Sequence, residues 1–364
     1  MQQTEPPAGG QPDIAYPRWR SRILSIFGLL ALLVVVITFA TSIGSVDLPF
    51  SATLQVLVSQ IPGIDVMPEA VGDMRIDDVE TIVVDIRLPR VLLAGLVGAA
   101  LALAGATYQG LFRNPLADPY LIGVSQGAAL GAVIGFLIPV GSAAIGVGLV
   151  PMLAFVGALF SVTIVYLLAR VGRAVPVTTL ILAGVALGAL LGAIGAYLTV
   201  TNEEIVYGII YWLSGSFSLS KWDEVWVVLP IVGVGSVIIL LFSRLLNIMQ
   251  LDEEQAQQLG INVERLKLIL LATATLITAA AVSFVGIIGF VGIITPHAVR
   301  LIWGADYRFL LPLSLLSGAI FLILADIVAR TVASPSEIPI GIITALCGAP
   351  FFLYLLRRRA KTLF

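Results

Sequence analysis

The chain has 364 residues, 59% of them hydrophobic and 12% charged, with a mean hydropathy of +1.05 and a net charge of −2. A soluble domain carries about 25% charged residues. One core of this size cannot hide so much apolar surface, so the solvent is lipid. The alternating pattern of a membrane β-barrel is absent, as is a basic patch with interleaved aromatics that would suit nucleic acid. A single cysteine, Cys347, allows no intramolecular disulfide, and no G-x-x-x-x-G-K-[ST] loop offers a phosphate cradle.

Residues 1–22 are polar and Pro/Gly-rich and end in Arg18, Arg20 and Arg22, which reads as a tail with a positive flank. The apolar run at 23–43 exceeds a signal-peptide core of about 7–15 residues and reads as a retained first span. Residues 45–86 are acidic and extramembrane, with a short amphipathic helix near 54–61. Further spans are expected at 88–107, 119–139, 148–169, 177–200, 224–244, 264–284, 286–303, 309–330 and 338–357, each near the length of about 20 residues that crosses a bilayer. Residues 203–222 form a loop with a short interfacial helix anchored by Tyr211, Trp212 and Trp222. The expected fold is an all-α integral membrane protein of ten transmembrane helices over 23–357, with cytoplasmic tails at 1–22 and 358–364.

Basic residues orient it. With the N-terminus inside, Arg113, Arg170, Arg265, Lys267, Arg300, Arg308 and Arg357 fall in the cytoplasm, while only Arg75, Arg87, Arg90, Lys221 and Arg330 stay outside. Both termini are then cytoplasmic. An inverted internal repeat shows when 99–118 is laid over 280–299, so that Ala99, Ala100, Gly105 and Pro115 meet Ala280, Ala281, Gly286 and Pro296.

Two spans carry glycine at every fourth position: Gly127, Gly131 and Gly135, then Gly184, Gly188 and Gly192. Such stripes let helix backbones approach closely; one stripe could also line a path for a bulky solute. Asp326 is the clear intramembrane acid, four residues before Arg330, with which it can pair. Ion-coupled carriers keep carboxylates or His inside their spans, so this scarcity argues against an ion-gradient mechanism. The sole histidine, His297, beside Pro296, reads as structural. The connector MQLDEEQAQQLGINVERLK (249–267) carries acids early, bases late and a break at Gly260. It is either a solvated link or a helix that docks on a cytoplasmic partner.

The stretches RLPR (87–90), LVGAALALAGATYQGLFRNPLADPYLIGVSQGA (96–128), LILAGVALGA (180–189), YWLSGSFS (211–218), IGFVGIITPHAVR (288–300), LADIVAR (324–330) and EIPIGIITALCGAPFF (337–352) occur in a known order. Over about 23–357 the chain resembles the FecCD/BtuC-type permeases of type II ABC importers, which take up iron chelates, haem and vitamin B12. The resemblance implies a permease dimer, of two copies or of paralogues, seated on two cytoplasmic ATPase subunits and fed by an extracytoplasmic solute-binding protein. The permease itself binds no cofactor and performs no bond chemistry; ATP and Mg bind the partner ATPase.

Carried over by position, Arg87, Arg90 and Arg330 would dock the binding protein. Asn114, Leu116, Val177 and Thr178 would form the cytoplasmic gate, with Val177 where a family member carries Thr. Gly184, Gly188 and Gly192 would line the pathway. Glu253, Glu254, Ala256, Leu259 and Gly260, in a coupling loop at about 246–263, would meet the ATPase. Iron(III)–siderophore is the first expectation for cargo, with haem or cobalamin as alternatives.

Overall fold

The computed structural model describes residues 19–360 apart from 45, 47, 62, 65–70, 73, 139–147 and 173. Most of the two expected tails, with Arg18, and Arg173 lie outside the described residues. Among the described residues, ten principal helices follow the expected order: α1 Trp19–Ser42, α2 Leu88–Leu111, α3 Val124–Leu137, α4 Leu149–Ala169, α5 Val177–Val200, α6 Trp222–Leu241, α7 Val263–Val285, α8 Val291–Trp303, α9 Tyr307–Thr331 and α10 Ile340–Ala360. Among the described residues, seven of these helices are long and apolar enough to cross a membrane; α3 and α8 are shorter, at 14 and 13 residues, and in α10 the apolar part runs over Ile340–Tyr354. Helix α1 starts inside the segment expected to be tail: Arg22 lies over the Phe309 ring, 5.3 Å from its centroid, and Trp303 Nε1 donates to Ser25 Oγ at 2.8 Å.

Helix α2 is the axis of the bundle. It continues a helical stretch that begins at Ile76, and 89% of its most apolar window is buried, against 11% in α1 and 17% in α5. A helix apolar all round belongs inside. Its Gly/Ala composition lets α6, α7, α8 and α9 close around it. A Cβ on Gly98 would enter the backbone of Gly318, and one on Gly105 the backbone of Gly292. The Gly127/Gly131/Gly135 ladder seats α3 against Gly157, Leu153 and Val150 of α4 in the same way.

The sequence places an extramembrane segment before residue 88, but the chain is helical from Ile76, with a π-helical turn over Thr81–Arg87. Pro89 is the cause. It has no N–H, and its ring clashes with the carbonyl four residues back in an α-helix. In the wide turn Leu88 N–H donates instead to Val83 O. The freed Val84 carbonyl accepts from Trp222 Nε1 at 3.0 Å. Trp222, expected as an interfacial anchor, is therefore a structural clamp between α6 and this turn.

Two helix breaks shorten α3 and α8. Before α3 the chain makes a 3-10 turn at Pro119–Ile122 and a left-handed Gly123 (φ +87°). Before α8 it passes a positive-φ Gly286 (+78°) and a left-handed Phe290 (+70°). Tyr120 joins the breaks: its hydroxyl donates to Ile288 O at 3.0 Å and accepts from Ile288 N at 3.3 Å. Both follow a long helix and open a short one, but they do not coincide in the repeat alignment of 99–118 with 280–299, which sets the Gly286–Phe290 break against residues 105–109 inside α2.

Candidate functional site

The arginines at one end of the bundle face inward. Arg90 donates from Nε and Nη2 to Asp326 Oδ1 (3.2 and 2.8 Å), from Nε to Oδ2 (3.1 Å), and from Nη1 to Glu337 Oε1 (2.8 Å). Arg330 lies 3.6 Å from Asp326 Oδ2, the pair expected on one helix face, and donates to the carbonyls of Ile43 (3.1 Å) and Ala40 (2.8 Å). Arg87, buried, donates to the carbonyls of Thr41, Ser42 and Val46. Arg87 and Arg330 thus cap the C-terminal carbonyls of α1, groups no helix can satisfy by itself. Neither presents the open docking surface expected from the sequence; a partner would have to break these bonds to reach them.

Glu337, a third exposed, is the outward member of this cluster. Its second oxygen accepts from Ser218 Oγ at 2.6 Å, and Ser218 joins Ser216 (2.8 Å) and Tyr211 Oη (2.8 Å). Burial works to raise its carboxyl, but hydrogen bonds from Arg90 and Ser218 and the charges of Arg90 and Arg330 outweigh it and hold the group below the usual carboxylate range.

Behind it, three backbones meet at the second helix break. Ile340 N donates to Gly215 O and Gly341 N to Ser214 O, both at 3.0 Å, while Ser216 N donates to Val285 O at 2.8 Å. A cavity of about 510 Å³ opens here, lined by Leu213, Ser214, Phe290, Gly341, Ile342 and Leu346 among others. Unwound backbone is stable at membrane depth where protein or a cavity surrounds it.

A Cβ on Gly184 would enter Leu121 O, and those on Gly188 and Gly192 would meet Gln126. Of the ladder expected to line a pathway, Gly184 packs against backbone, while Gly188 and Gly192 lie beside the exposed Gln126 side chain. Leu182, Val185, Leu190, Ile194 and Tyr197 of α5 are exposed, as are Ile342, Leu346, Leu353 and Tyr354 of α10.

At the other end, Glu253–Gln258 forms a short helix, Gly260 turns the chain at φ +82°, and Asn262 caps α7 by accepting from Arg265 N at 3.0 Å. Ala256 is buried beneath this helix while Glu254, Leu259 and Gly260 are exposed. Leu259 is 63% exposed at the end of this helix. Arg113, itself left-handed at φ +50°, donates to Leu251 O (3.3 Å) and Asp252 Oδ1 (3.1 Å). The neighbouring Asn114 Oδ1 accepts from Leu116 N at 3.0 Å, and Leu116 is exposed. Pro176 caps α5, so Val177 and Thr178 open its first turn.

A sequence profile of the FecCD transport family matches residues 32–358. The chain belongs to the FecCD transport family. This FecCD chain is 50% identical over 280 residues to the cobalamin import permease BtuC of Halobacterium salinarum, covering 77% of this chain and 74% of that one. It is 41% identical to the hemin permease HmuU of Yersinia pestis over 286 residues (76% and 83% covered). To the iron(III)-dicitrate permease FecC of Escherichia coli it is 39% identical over 285 residues (77% and 84%). Among solved structures, a metal-chelate type ABC transporter in an inward-facing conformation superposes with a TM-score of 0.78 at 32% identity, covering 94% of this chain and all of that one. FecCD members are multi-pass membrane permease subunits of ABC importers, and the all-helical fold is theirs.

Sequence reasoning missed Glu337, Tyr120, Phe290 and Lys267 as organising residues. Only Lys267 left a signal, its i,i+3 spacing from Glu264; the other contacts join segments far apart in sequence.

Proposed function

We propose that this chain is the permease subunit of an ATP-driven cobalamin importer. The observation that carries the reading is its 50% identity to a cobalamin permease, against 41% and 39% to hemin and iron(III)-dicitrate permeases. It replaces iron–siderophore as the first expectation. Two such chains, or this one and a paralogue, pair across the exposed faces of α5 and α10. Two ATPase subunits cover Leu259 and the Glu253–Gln258 helix, which lies on the cytoplasmic side. A solute-binding protein docks at the opposite end, where Arg90 is the arginine within reach: an incoming carboxylate competes with Glu337 for it.

The mechanism is alternating access. ATP closes the ATPase pair, the short helix moves, and the segments at Asn114–Leu116 and Val177–Thr178 open or close the inner mouth. Cargo passes a wall of apolar side chains and backbone, which suits a large solute that must not stick. The protein's part is to bind differently in two states. An ion-gradient carrier is disfavoured because the buried acid, Asp326, is engaged by Arg90 and Arg330.

The test is uptake of labelled cobalamin, hemin and iron(III)-citrate in cells lacking the gene and in cells with it restored. Cobalamin uptake is expected to vanish and to return only with a functional ATPase partner. Loss of hemin or iron uptake instead would overturn the cargo while leaving the importer intact.

A further inference from the structure

The two gate segments are separate in sequence and are tied to the Glu253–Gln258 helix by different means. Arg113 reaches Asp252 at 3.1 Å from beside Asn114 and lies 4.0 Å from Glu253 Oε1, but its side chain is 39% exposed and Asp252 is 80% exposed. Charges so solvated attract weakly and are screened by salt. The second tie is built differently. Lys267, one turn into α7, has a side chain only 10% exposed. Its ammonium donates to Glu253 Oε2 at 2.9 Å and to Glu264 Oε1 at 3.2 Å. The other oxygen of Glu264 accepts from the backbone N–H of Val175 at 3.2 Å. Val175 is buried and precedes Pro176, which has no N–H, so this bond is the last backbone donor before α5 begins. Val175, Val177, Leu180 and Lys267 also line one small cavity, about 20 Å³ in volume.

We propose that Lys267 is a positioning residue that joins the Glu253–Gln258 helix to the start of α5, so that displacement of the helix carries the Val177–Thr178 segment with it. The path runs from Glu253 through the Lys267 ammonium to Glu264 and the Val175 amide. Glu253 and Glu264 are 35% and 30% exposed, so this attraction is screened less than that of the Arg113–Asp252 pair. Glu253 moves with the short helix, and Glu264 and Lys267 move with α7. A shift between the two elements strains the shared ammonium, and the strain reaches the α5 segment through one hydrogen bond. This rests on the importer reading, in which an ATPase drives that helix.

The experiment uses the full complex of permease, ATPase and binding protein in proteoliposomes. For K267M, cargo delivered per ATP hydrolysed is expected to fall about tenfold, within the usual range of a coupling between sites. ATP hydrolysis itself should persist, and K267R should restore the ratio. A purely structural lysine would lower both activities together and leave their ratio unchanged, and that result would overturn the proposal.

Hydrogen exchange supplies a readout that needs no cargo. In the wild-type complex, trapping ATP should change exchange in residues 251–260 and in 171–180. In K267M the change should be confined to 251–260; a wild-type response at 171–180 would equally overturn the proposal. K267Q, which keeps two N–H donors without the charge, takes the same measurements where K267M does not assemble. A double-mutant cycle with E253Q must be non-additive if both residues lie on one path; additive losses count against it. If wild-type complex moves no cobalamin, the cargo reading fails while the exchange test stands. If ATP leaves residues 251–260 unchanged in wild type, the importer reading fails.

Discussion

Asp326 holds two guanidiniums at once, Arg90 in hydrogen bonds and Arg330 at 3.6 Å, in a site only 2% exposed. Removing one partner of such a cluster strands the others without water. D326N is expected to cost on the order of 3–5 kcal/mol, read as a fall in thermal unfolding temperature of the detergent-purified protein. A different carboxylate makes a pH prediction. Asp306 caps α9, accepting from Arg308 N at 3.1 Å, and it also takes bonds from the Arg308 guanidinium and Asn247 Nδ2 (2.7 Å). The Arg308 hydrogen bonds, with help from Asn247, hold its pKa at about 2 rather than 3.8. A depressed carboxylate stabilises the fold above its unfolded pKa and loses that contribution as pH falls through the folded value. D306N keeps a capping oxygen but loses the negative charge beside Arg308 and the start of α9, so it should unfold earlier than wild type at pH 7, by about 1 kcal/mol. The gap should close between about pH 4 and pH 2 in unfolding scans.

Helices in this molecule meet backbone to backbone, and glycine is what permits it. A Cβ at Gly131 would overlap Leu153 O, while one at Gly233 would meet nothing within 4 Å. G131A is expected to destabilise by about 1–3 kcal/mol and G233A to have no such packing effect, compared by thermal unfolding in one detergent. The ladders were legible in the sequence because both sit at every fourth residue of an apolar run. What they face was not. Gly184 reads equally well as a packing surface or a pathway wall until Leu121 is found against it. The helix breaks were harder. IGFVGIIT looks like uninterrupted span, and Phe is a residue that seldom takes φ above zero. The cause is tertiary: Gly286 is pressed against Trp212, and Phe290 covers Gly348. The π turn at Thr81–Arg87 was hidden likewise, since Pro89 announces a disruption without saying whether the helix ends or widens.

Across the whole molecule, burial divides the helices by role. Helices α2, α7 and α9 form the interior, while α1 and α5 are mostly half-buried or exposed; all are strongly apolar, so class and order of spans were readable from hydropathy alone. The arginines show where such reading stops: RLPR and LADIVAR suggested an exposed basic face, but the carbonyls of α1 lie within reach and take two of the three. The native Cys347 is exposed on α10. If α10 borders a second copy, a short bis-maleimide should convert the purified transporter into a cross-linked permease dimer on a denaturing gel, and C347S should abolish the band. A monomer-only result would remove α10 from the pairing face. The glycine seams also bear on how such a protein changes over generations. Where two backbones touch, no side chain can be altered without prising the helices apart, so a saturation library should show Gly98, Gly105, Gly127 and Gly131 nearly immutable. Variation is left to residues that touch no neighbouring backbone, among them the outward side chains of α5 and α10.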